Sequence, residues 1–159
     1  LKISNMNNSW IFENEEINSP EQIPHGAIGF VYKITTLADG MIYIGKKSLY
    51  STRKRKFGKK EAAAVTDKRK KKHEHVTKLM PKWEAYTGSC EPLNKEIANG
   101  ALYRKEILCF CFKKQEMSYY ELKFQMIEGV IEPGSTSYNG NILGKFYPKL
   151  FSNGHEGEV

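Results

Sequence analysis

Two tyrosines, Tyr32 and Tyr43, are the residues of this chain whose placement first suggests chemistry. Each lies in a short stretch rich in β-branched and aromatic residues, Gly29 to Ile34 and Met41 to Ile44, and such stretches are typical of strands. The Asp-Gly pair between the two stretches is a strong signal for a hairpin turn. We therefore expect a hairpin over about residues 28–45 that presents two phenols side by side.

A phenol is a poor base at neutral pH, because its pKa is normally near ~10. It can take a proton from water only if nearby positive charge stabilises the phenolate. Lys46 and Lys47 follow the hairpin directly, and further basic residues come after them. These cations, together with a divalent metal, are the candidates for supplying that charge.

The positive charge of the chain is concentrated in one segment. The whole chain has a formal net charge of +7, but Lys46 to Lys82 alone contains 15 Lys and Arg residues against three acidic residues. Such a concentration is typical of a site for a polyanion, whereas the alternative is a solvated face on a basic protein. We predict contacts with nucleic acid, DNA or RNA, through Lys54, Arg55, Lys56, Lys59, Lys60, Lys68, Arg69, Lys71 and Lys72.

The remaining elements are expected to be mainly helical. Residues 48–57 and 60–79 should form helices, the first capped by Ser48, and a short helix should follow over 92–98. Arg104 to Phe112 should form a strand with Ile107, Cys109 and Cys111 on one face. A last helix is expected over 113–128. The fold class is therefore α+β, with a small, mostly antiparallel three-stranded sheet flanked by helices.

The domain organisation follows from the same pattern. Residues 1–25 are expected to be an N-terminal arm that lies across the domain or a neighbouring subunit. Residues 26–159 should form a single domain that includes a basic helical insert over about 54–82.

Composition also limits the cellular setting. The chain has no apolar run of about eighteen residues, so we expect no membrane span. It has no secretory pattern at its N-terminus, and its three cysteines, Cys90, Cys109 and Cys111, cannot all pair with one another. We therefore expect a cytoplasmic protein of a bacterium or of a phage-infected host cell.

The paired segments Gly29-Phe30-Val31-Tyr32 and Tyr43-Ile44-Gly45 resemble the two halves of the GIY-YIG nuclease motif. Other family elements follow in the family's order: Arg53 at the arginine position, Glu121 on the helix after the third strand, and Asn139 after a tyrosine. The sequence resembles the small phage-encoded and restriction-type members of that family. At the position four residues after the arginine, where many members have His or Tyr, this chain has Phe57.

The resemblance implies a metal-dependent DNA endonuclease in which Tyr32 takes a proton from the attacking water. Tyr43 would hydrogen-bond the water or the scissile phosphate, and Arg53 would bind phosphate oxygens. Glu121 would hold Mg²⁺, for which Mn²⁺ can substitute. Further site residues would be Lys46, Lys47 and Asn139.

Glu121 is preferred as the metal ligand over its neighbours Glu116 and Glu128. The side chain of Glu128 shares the azimuth of Glu121 on a helix but lies ~10 Å further along, too far to join the same coordination sphere. One apparent active site per chain means that cutting both strands needs a homodimer or two successive nicks. The rival readings are a non-catalytic nucleic-acid-binding protein and an RNA-directed protein.

Overall fold

The computed structural model describes residues 8–151 of the chain. Five strands form one mixed sheet with the order β2-β1-β7-β3-β4, and two further strands form a separate sheet. Within these residues, no helix is long and apolar enough to cross a membrane. The strands and α-helices are β1 (Trp10–Phe12), β2 (Glu15–Ile17), β3 (Gly29–Thr36), β4 (Ile42–Ser48), β5 (Tyr50–Lys56), α1 (Lys59–Ala64), β6 (His73–Leu79), α2 (Glu91–Ala98), β7 (Tyr103–Cys111) and α3 (Lys114–Ile127).

The predicted hairpin is confirmed as β3 and β4, which pair antiparallel along their length. In its turn, Asp39 Oδ1 accepts hydrogen bonds from the Thr36 hydroxyl at 2.5 Å and from the Met41 amide at 3.1 Å. Gly40 has a φ of +70°, a conformation that glycine adopts without steric cost. The Asp-Gly pair therefore closes the hairpin as its sequence predicts.

The α+β class is confirmed, but the mostly antiparallel sheet has five strands, so the prediction of three strands is wrong. β7, β3 and β4 are antiparallel neighbours, and β1 adds to β7 in parallel with β2 beyond it. β1 and β2 have only three residues each, too short to show a strand pattern, and they meet at a turn where Glu13 and Asn14 have positive φ. Thus the described part of the predicted arm forms the outer strands of the sheet; residues 1–7 lie outside the described part.

The two faces of the sheet carry separate apolar clusters. One contains Tyr32, and the other lies under α3. Between Val31 and Tyr32 the pairing with β7 shifts by one residue, so that Val31 is opposite Cys109 and Tyr32 is opposite Ile107. Such a bulge reverses the face of the residues beyond it. The expectation that Ile107 shares a face with Cys109 and Cys111 is therefore wrong.

The basic segment is the largest departure from expectation, because the helices predicted over 48–57 and 60–79 are wrong. β5 and β6 pair antiparallel from Tyr50 opposite Leu79 to Lys56 opposite His73, and only the short α1 lies between them. The Thr52 and Thr77 hydroxyls meet across the pair at 3.1 Å. Lys, Glu and Ala favour helix in isolation, but cross-strand pairs of polar and β-branched residues stabilise a ribbon here. We call residues 50–79 the basic ribbon.

Candidate active site

A cleft of about 380 Å³ opens at the β4 edge of the main sheet. Both phenols reach it, Tyr32 from β3 and Tyr43 from β4. Lys46 enters from the end of β4 and Glu121 from α3, while Asn139 closes the cleft from the segment after α3. The structure thus brings together five of the seven residues that the sequence proposed for catalysis.

The Tyr32 side chain reaches the cleft by passing over Gly45. A Cβ atom built on Gly45 would lie 2.5 Å from the Tyr32 hydroxyl oxygen and 3.2 Å from Tyr43 Cε1. Gly45 is buried, and the rings of the two tyrosines are 6.2 Å apart between centroids. Only glycine leaves room at this position for both phenols at the sheet edge.

Gly45→Ala is therefore expected to displace the Tyr32 phenol and to lower both stability and activity. Overpacking a buried site of this kind costs about 1–3 kcal/mol of unfolding free energy, which urea unfolding measures. Gly140→Ala is the matched control, since Gly140 lines the same cleft with open space around a built Cβ. We expect the control to change unfolding free energy by less than ~0.5 kcal/mol. Equal effects of both substitutions would contradict this account of Gly45.

The Tyr32 phenol is 1% exposed, and its burial raises its pKa above the ordinary value of a tyrosine. The neighbouring Tyr86 and Tyr43 phenols and the Glu121 carboxylate raise this pKa further. Burial also raises the pKa of Tyr43, whose hydroxyl is 3.2 Å from Ser89 Oγ. Burial and the neighbouring groups therefore disfavour a Tyr32 phenolate in the protein without a bound metal ion, whereas the expectation from the sequence included the charge of a divalent metal.

Glu121 and Lys46 form the charged side of the cleft. Glu121 Oε2 lies 3.6 Å from Lys46 Nζ, which also donates a hydrogen bond to Ser118 Oγ at 3.2 Å. Burial raises the pKa of Glu121, and the Lys46 ammonium acts in the opposite direction. The carboxylate is therefore partly desolvated and only loosely paired, which leaves it able to bind a cation that enters from the cleft.

The cleft offers one carboxylate as a ligand for a divalent metal. The described part of the chain has no group of three or more His, Cys, Asp or Glu side chains placed to hold a metal. Mg²⁺ tolerates one carboxylate because it keeps several waters and takes a substrate phosphate oxygen as a ligand. Glu121 is the carboxylate that lines the cleft.

Lys47 and Asn139 have different surroundings from those expected. The Lys47 Nζ lies 4.2 Å from the centre of the Tyr86 ring, on the sheet face opposite Lys46, and it does not line the cleft. Asn139 does line it, but its amide bonds both the backbone N–H and C=O of Ile44, at 3.0 and 2.9 Å. The Asn139 side chain thus takes the place of a neighbouring strand and fixes the edge of β4.

Arg53 is not brought to the cleft. It lies exposed on β5 and lines a separate groove of about 490 Å³ on the basic ribbon. The nine cations predicted to bind nucleic acid are also exposed on the ribbon, although Arg55 is held by Glu61 and Glu74. Within the described residues, Lys46 is the cation that lines the cleft together with the two tyrosines.

The loop that covers the phenols is a part of the site that sequence reasoning missed. A Cβ atom on Gly88 would lie 3.1 Å from the Tyr32 hydroxyl, and Ser89 contacts Tyr43. Asn94 holds this loop through Thr87 and the carbonyl of Gly88. The Thr-Gly-Ser turn after Tyr86 was the available signal, but nothing local in the sequence shows what such a turn covers.

Further along the same segment, residues 83–86 are held by two buried side chains of the sheet. The Lys105 ammonium donates to the carbonyls of Glu84 and Tyr86 at 2.6 and 3.1 Å, and the Trp10 indole N–H donates to the carbonyl of Trp83 at 3.0 Å. The short strand β1 therefore has a direct role in positioning the cleft.

Two phenols, a carboxylate and an ammonium group around one cleft are suited to proton transfer on an anionic substrate, so the site is that of an enzyme. The chain matches the family model described as "Putative endonuclease segE, GIY-YIG domain" over residues 10–142. Because the match covers most of the chain, the protein belongs to the GIY-YIG endonuclease family, with the phage-type members that its sequence resembles. It is therefore a phosphodiester hydrolase. Comparison with curated proteins gives no match, and neither does comparison with solved structures.

Proposed function

We propose that the protein is a metal-dependent DNA endonuclease whose cleft at the β4 edge hydrolyses the phosphodiester bond. The observation that carries the proposal is the convergence of Tyr32, Tyr43, Lys46 and Glu121 on one cleft. Glu121 would hold one Mg²⁺, or Mn²⁺ in its place. The bound cation would supply positive charge that polarises the scissile phosphate and makes deprotonation of a nearby phenol easier.

The chain's own groups divide the remaining work. Water attacks phosphorus, the bond to the 3′ oxygen breaks, and the proton of the water must leave. Tyr32 is rigidly packed, so its hydroxyl would orient the attacking water. It can take the proton of the water only as a phenolate, so its own proton must first pass to solvent, and the departing 3′ oxygen takes up a proton from solvent. The Tyr43 hydroxyl, hydrogen-bonded to Ser89, is placed to hold the water or the phosphate. Lys46 offers its ammonium to the charge that develops on the phosphate oxygens.

The direct test incubates the protein with supercoiled plasmid and Mg²⁺, with and without a chelator. We expect nicked or linear plasmid only where the metal is present. Parallel reactions with duplex and single-stranded RNA of the same sequence test the RNA-directed alternative. Binding without cleavage under all metal conditions would favour a non-catalytic nucleic-acid-binding protein.

The same assay distinguishes cleavage by a monomer from cleavage by a homodimer. The described residues form one cleft that contains the two tyrosines, so a monomer would convert supercoiled plasmid to the nicked form before the linear form appears. Direct formation of linear plasmid, with a rate that rises steeply with protein concentration, would indicate a homodimer that cuts both strands.

The basic ribbon is expected to supply most of the binding energy. Its cations release counterions from the phosphate backbone, so affinity should fall steeply as salt increases. Replacing Lys68, Arg69, Lys71 and Lys72 with Gln should flatten the slope of log affinity against log salt by up to ~3–4, if each contacts one phosphate. Fluorescence anisotropy with labelled duplex DNA in chelator measures the slope.

A matched control replaces four exposed lysines outside the ribbon with Gln, namely Lys95, Lys114, Lys145 and Lys149. The control removes the same charge from the protein and should leave the slope within about one unit of the wild-type value. Equal flattening by both sets would contradict the placement of DNA on the ribbon.

A further inference from the structure

The basic ribbon is a two-stranded sheet without an apolar face of its own. β5 and β6 hydrogen-bond only to each other, and every residue of β5 except Ser51 is exposed. An isolated two-stranded ribbon is marginally stable in water. The charges of this ribbon are overwhelmingly positive. We therefore expect it to bind a polyanion whose shape and charge complement those of the ribbon.

The two faces of the ribbon differ in character. Side chains alternate between faces, and directly opposed residues share a face. One face carries Arg53 opposite Val76, Ser51 opposite Lys78, and Arg55 opposite Glu74. This concave face supplies most of the lining of a groove of about 490 Å³, to which Lys54 and Leu79 also contribute. Lys54, Lys56, His73 and His75 lie on the other face.

One of the two arginines on the concave face forms no ion pair within the described residues. Arg55 is fixed by Glu74 at 2.6 Å and by Glu61 at 3.1 Å, whereas Arg53 is absent from the ion pairs of the described residues. Arg53 occupies the middle of β5, beside the apolar Val76. A guanidinium group can bind a base edge while the small apolar side chain beside it contacts a thymine methyl group.

The dimensions of the ribbon favour the major groove of DNA. The strands of a ribbon are ~4.8 Å apart, and the ~12 Å major groove of undistorted B-DNA admits a two-stranded ribbon, whereas the ~6 Å minor groove must first be widened to take one. In A-form RNA the major groove is deep and narrow, and side chains cannot read it. Double-stranded DNA is thus the partner that this shape and charge fit.

We infer that the concave face of the basic ribbon lies in the major groove of DNA and that Arg53 reads a guanine there through its O6 and N7. This inference rests on the proposed DNA substrate but not on cleavage. It gives Arg53 a role in specificity, at a position separate from the tyrosine cleft.

The test selects bound duplexes from a randomised DNA library with the full chain in chelator, where no cleavage is needed. The wild-type protein should enrich a guanine at a fixed position. Arg53→Ala should remove that preference, with a loss of affinity of about 5- to 150-fold for the selected duplex and little loss for random DNA. Circular dichroism should show unchanged folding, because Arg53 is exposed.

Lys56→Ala is the matched control, since it removes one charge from the opposite face of the same strand. It should weaken binding to selected and random duplexes alike and leave the preference intact. Methylation of guanine N7 in the selected duplex should block wild-type binding, whereas methylation of adenine N3, in the minor groove, should not.

Several outcomes would overturn the inference. A wild-type protein without base preference, interference only from the minor groove, or equal binding of duplex RNA would each contradict major-groove reading. A uniform loss of affinity in Arg53→Ala would make Arg53 a phosphate contact. Loss of cleavage in Arg53→Ala with unchanged selection would make it catalytic.

A different outcome separates this inference from the proposed function. If the wild-type protein selects a guanine and never cuts plasmid, the ribbon reads DNA and the proposed nuclease function fails.

Discussion

Replacing Glu121 with Gln is expected to lower DNA cleavage by about 10³-fold or more, because a metal ion supplies several kcal/mol of transition-state stabilisation. Gln keeps the size of the side chain but removes the charge that would hold Mg²⁺. Binding of DNA in chelator should remain within about twofold, since Glu121 faces the cleft and not the basic ribbon. Cleavage rates at saturating DNA, with Mg²⁺ titrated, measure the effect.

The stability of this variant separates a functional from a structural role. Burial raises the pKa of Glu121, which means that its surroundings disfavour the charged carboxylate despite the Lys46 ammonium 3.6 Å away. Glu121→Gln should therefore unfold at the same urea concentration as the wild type or a higher one. A variant that loses activity because it has lost its fold would contradict this expectation.

Glu116→Gln and Glu128→Gln provide matched controls on the same helix. The Glu116 carboxylate accepts a hydrogen bond from the Phe112 amide at 3.1 Å, and Glu128 pairs with Lys33 at 3.4 Å. Neither carboxylate lines the cleft. Both variants should cleave DNA nearly as fast as the wild type. Retention of more than about a tenth of the activity by Glu121→Gln would exclude Glu121 as the metal ligand.

The parts of the fold that the sequence predicts are those with strong local signals. Asp39 and Gly40 specify the hairpin turn, and α3 forms over Lys114–Ile127, close to the predicted range 113–128. The Gly-Phe-Val-Tyr and Tyr-Ile-Gly segments form adjacent strands, so their tyrosines meet as expected. The contribution of Trp10 was not predictable, because a three-residue strand depends on partners distant in sequence.

The placement of Arg53 shows why spacing alone misleads. Its assignment to the site assumed a helix after the hairpin, in which the chain advances ~1.5 Å per residue. The observed strand advances ~3.3 Å per residue and therefore carries Arg53 along the ribbon. The role of Arg53 therefore depends on the conformation of residues 48–57, which the spacing in the sequence does not specify.

For Lys46 and Lys47, the structure decides a choice that the sequence left open. Sequence could not decide between Lys46 and Lys47, since each follows the second tyrosine closely. Alternation along β4 places Lys46 on the face of Glu121 and Lys47 on the face of Tyr86. That choice depends on where β4 ends, and the pairing of β3 with β4 through Ser48 settles it.

Tyr32→Phe is expected to lower cleavage by about 10²- to 10⁴-fold, the range for a positioned group that transfers a proton. The substitution removes one oxygen and keeps the ring, which packs at 5.2 Å from Trp10 and 5.9 Å from Tyr86 between centroids. Stability should therefore change little. The loss should appear in the cleavage rate at saturating DNA, with binding in chelator unchanged.

Tyr103→Phe is the matched control, because Tyr103 packs against the same apolar cluster but lies away from the cleft. It should cleave DNA at nearly the wild-type rate. Tyr32 is almost fully buried, and its hydroxyl lies against Gly45 and Gly88 at the wall of the cleft. Its effect on cleavage therefore tests whether the scissile phosphate enters this cleft at all. A Tyr32→Phe variant that retains more than about a tenth of the wild-type rate would remove Tyr32 from the chemistry, and would make the two tyrosines a packing feature of the sheet edge.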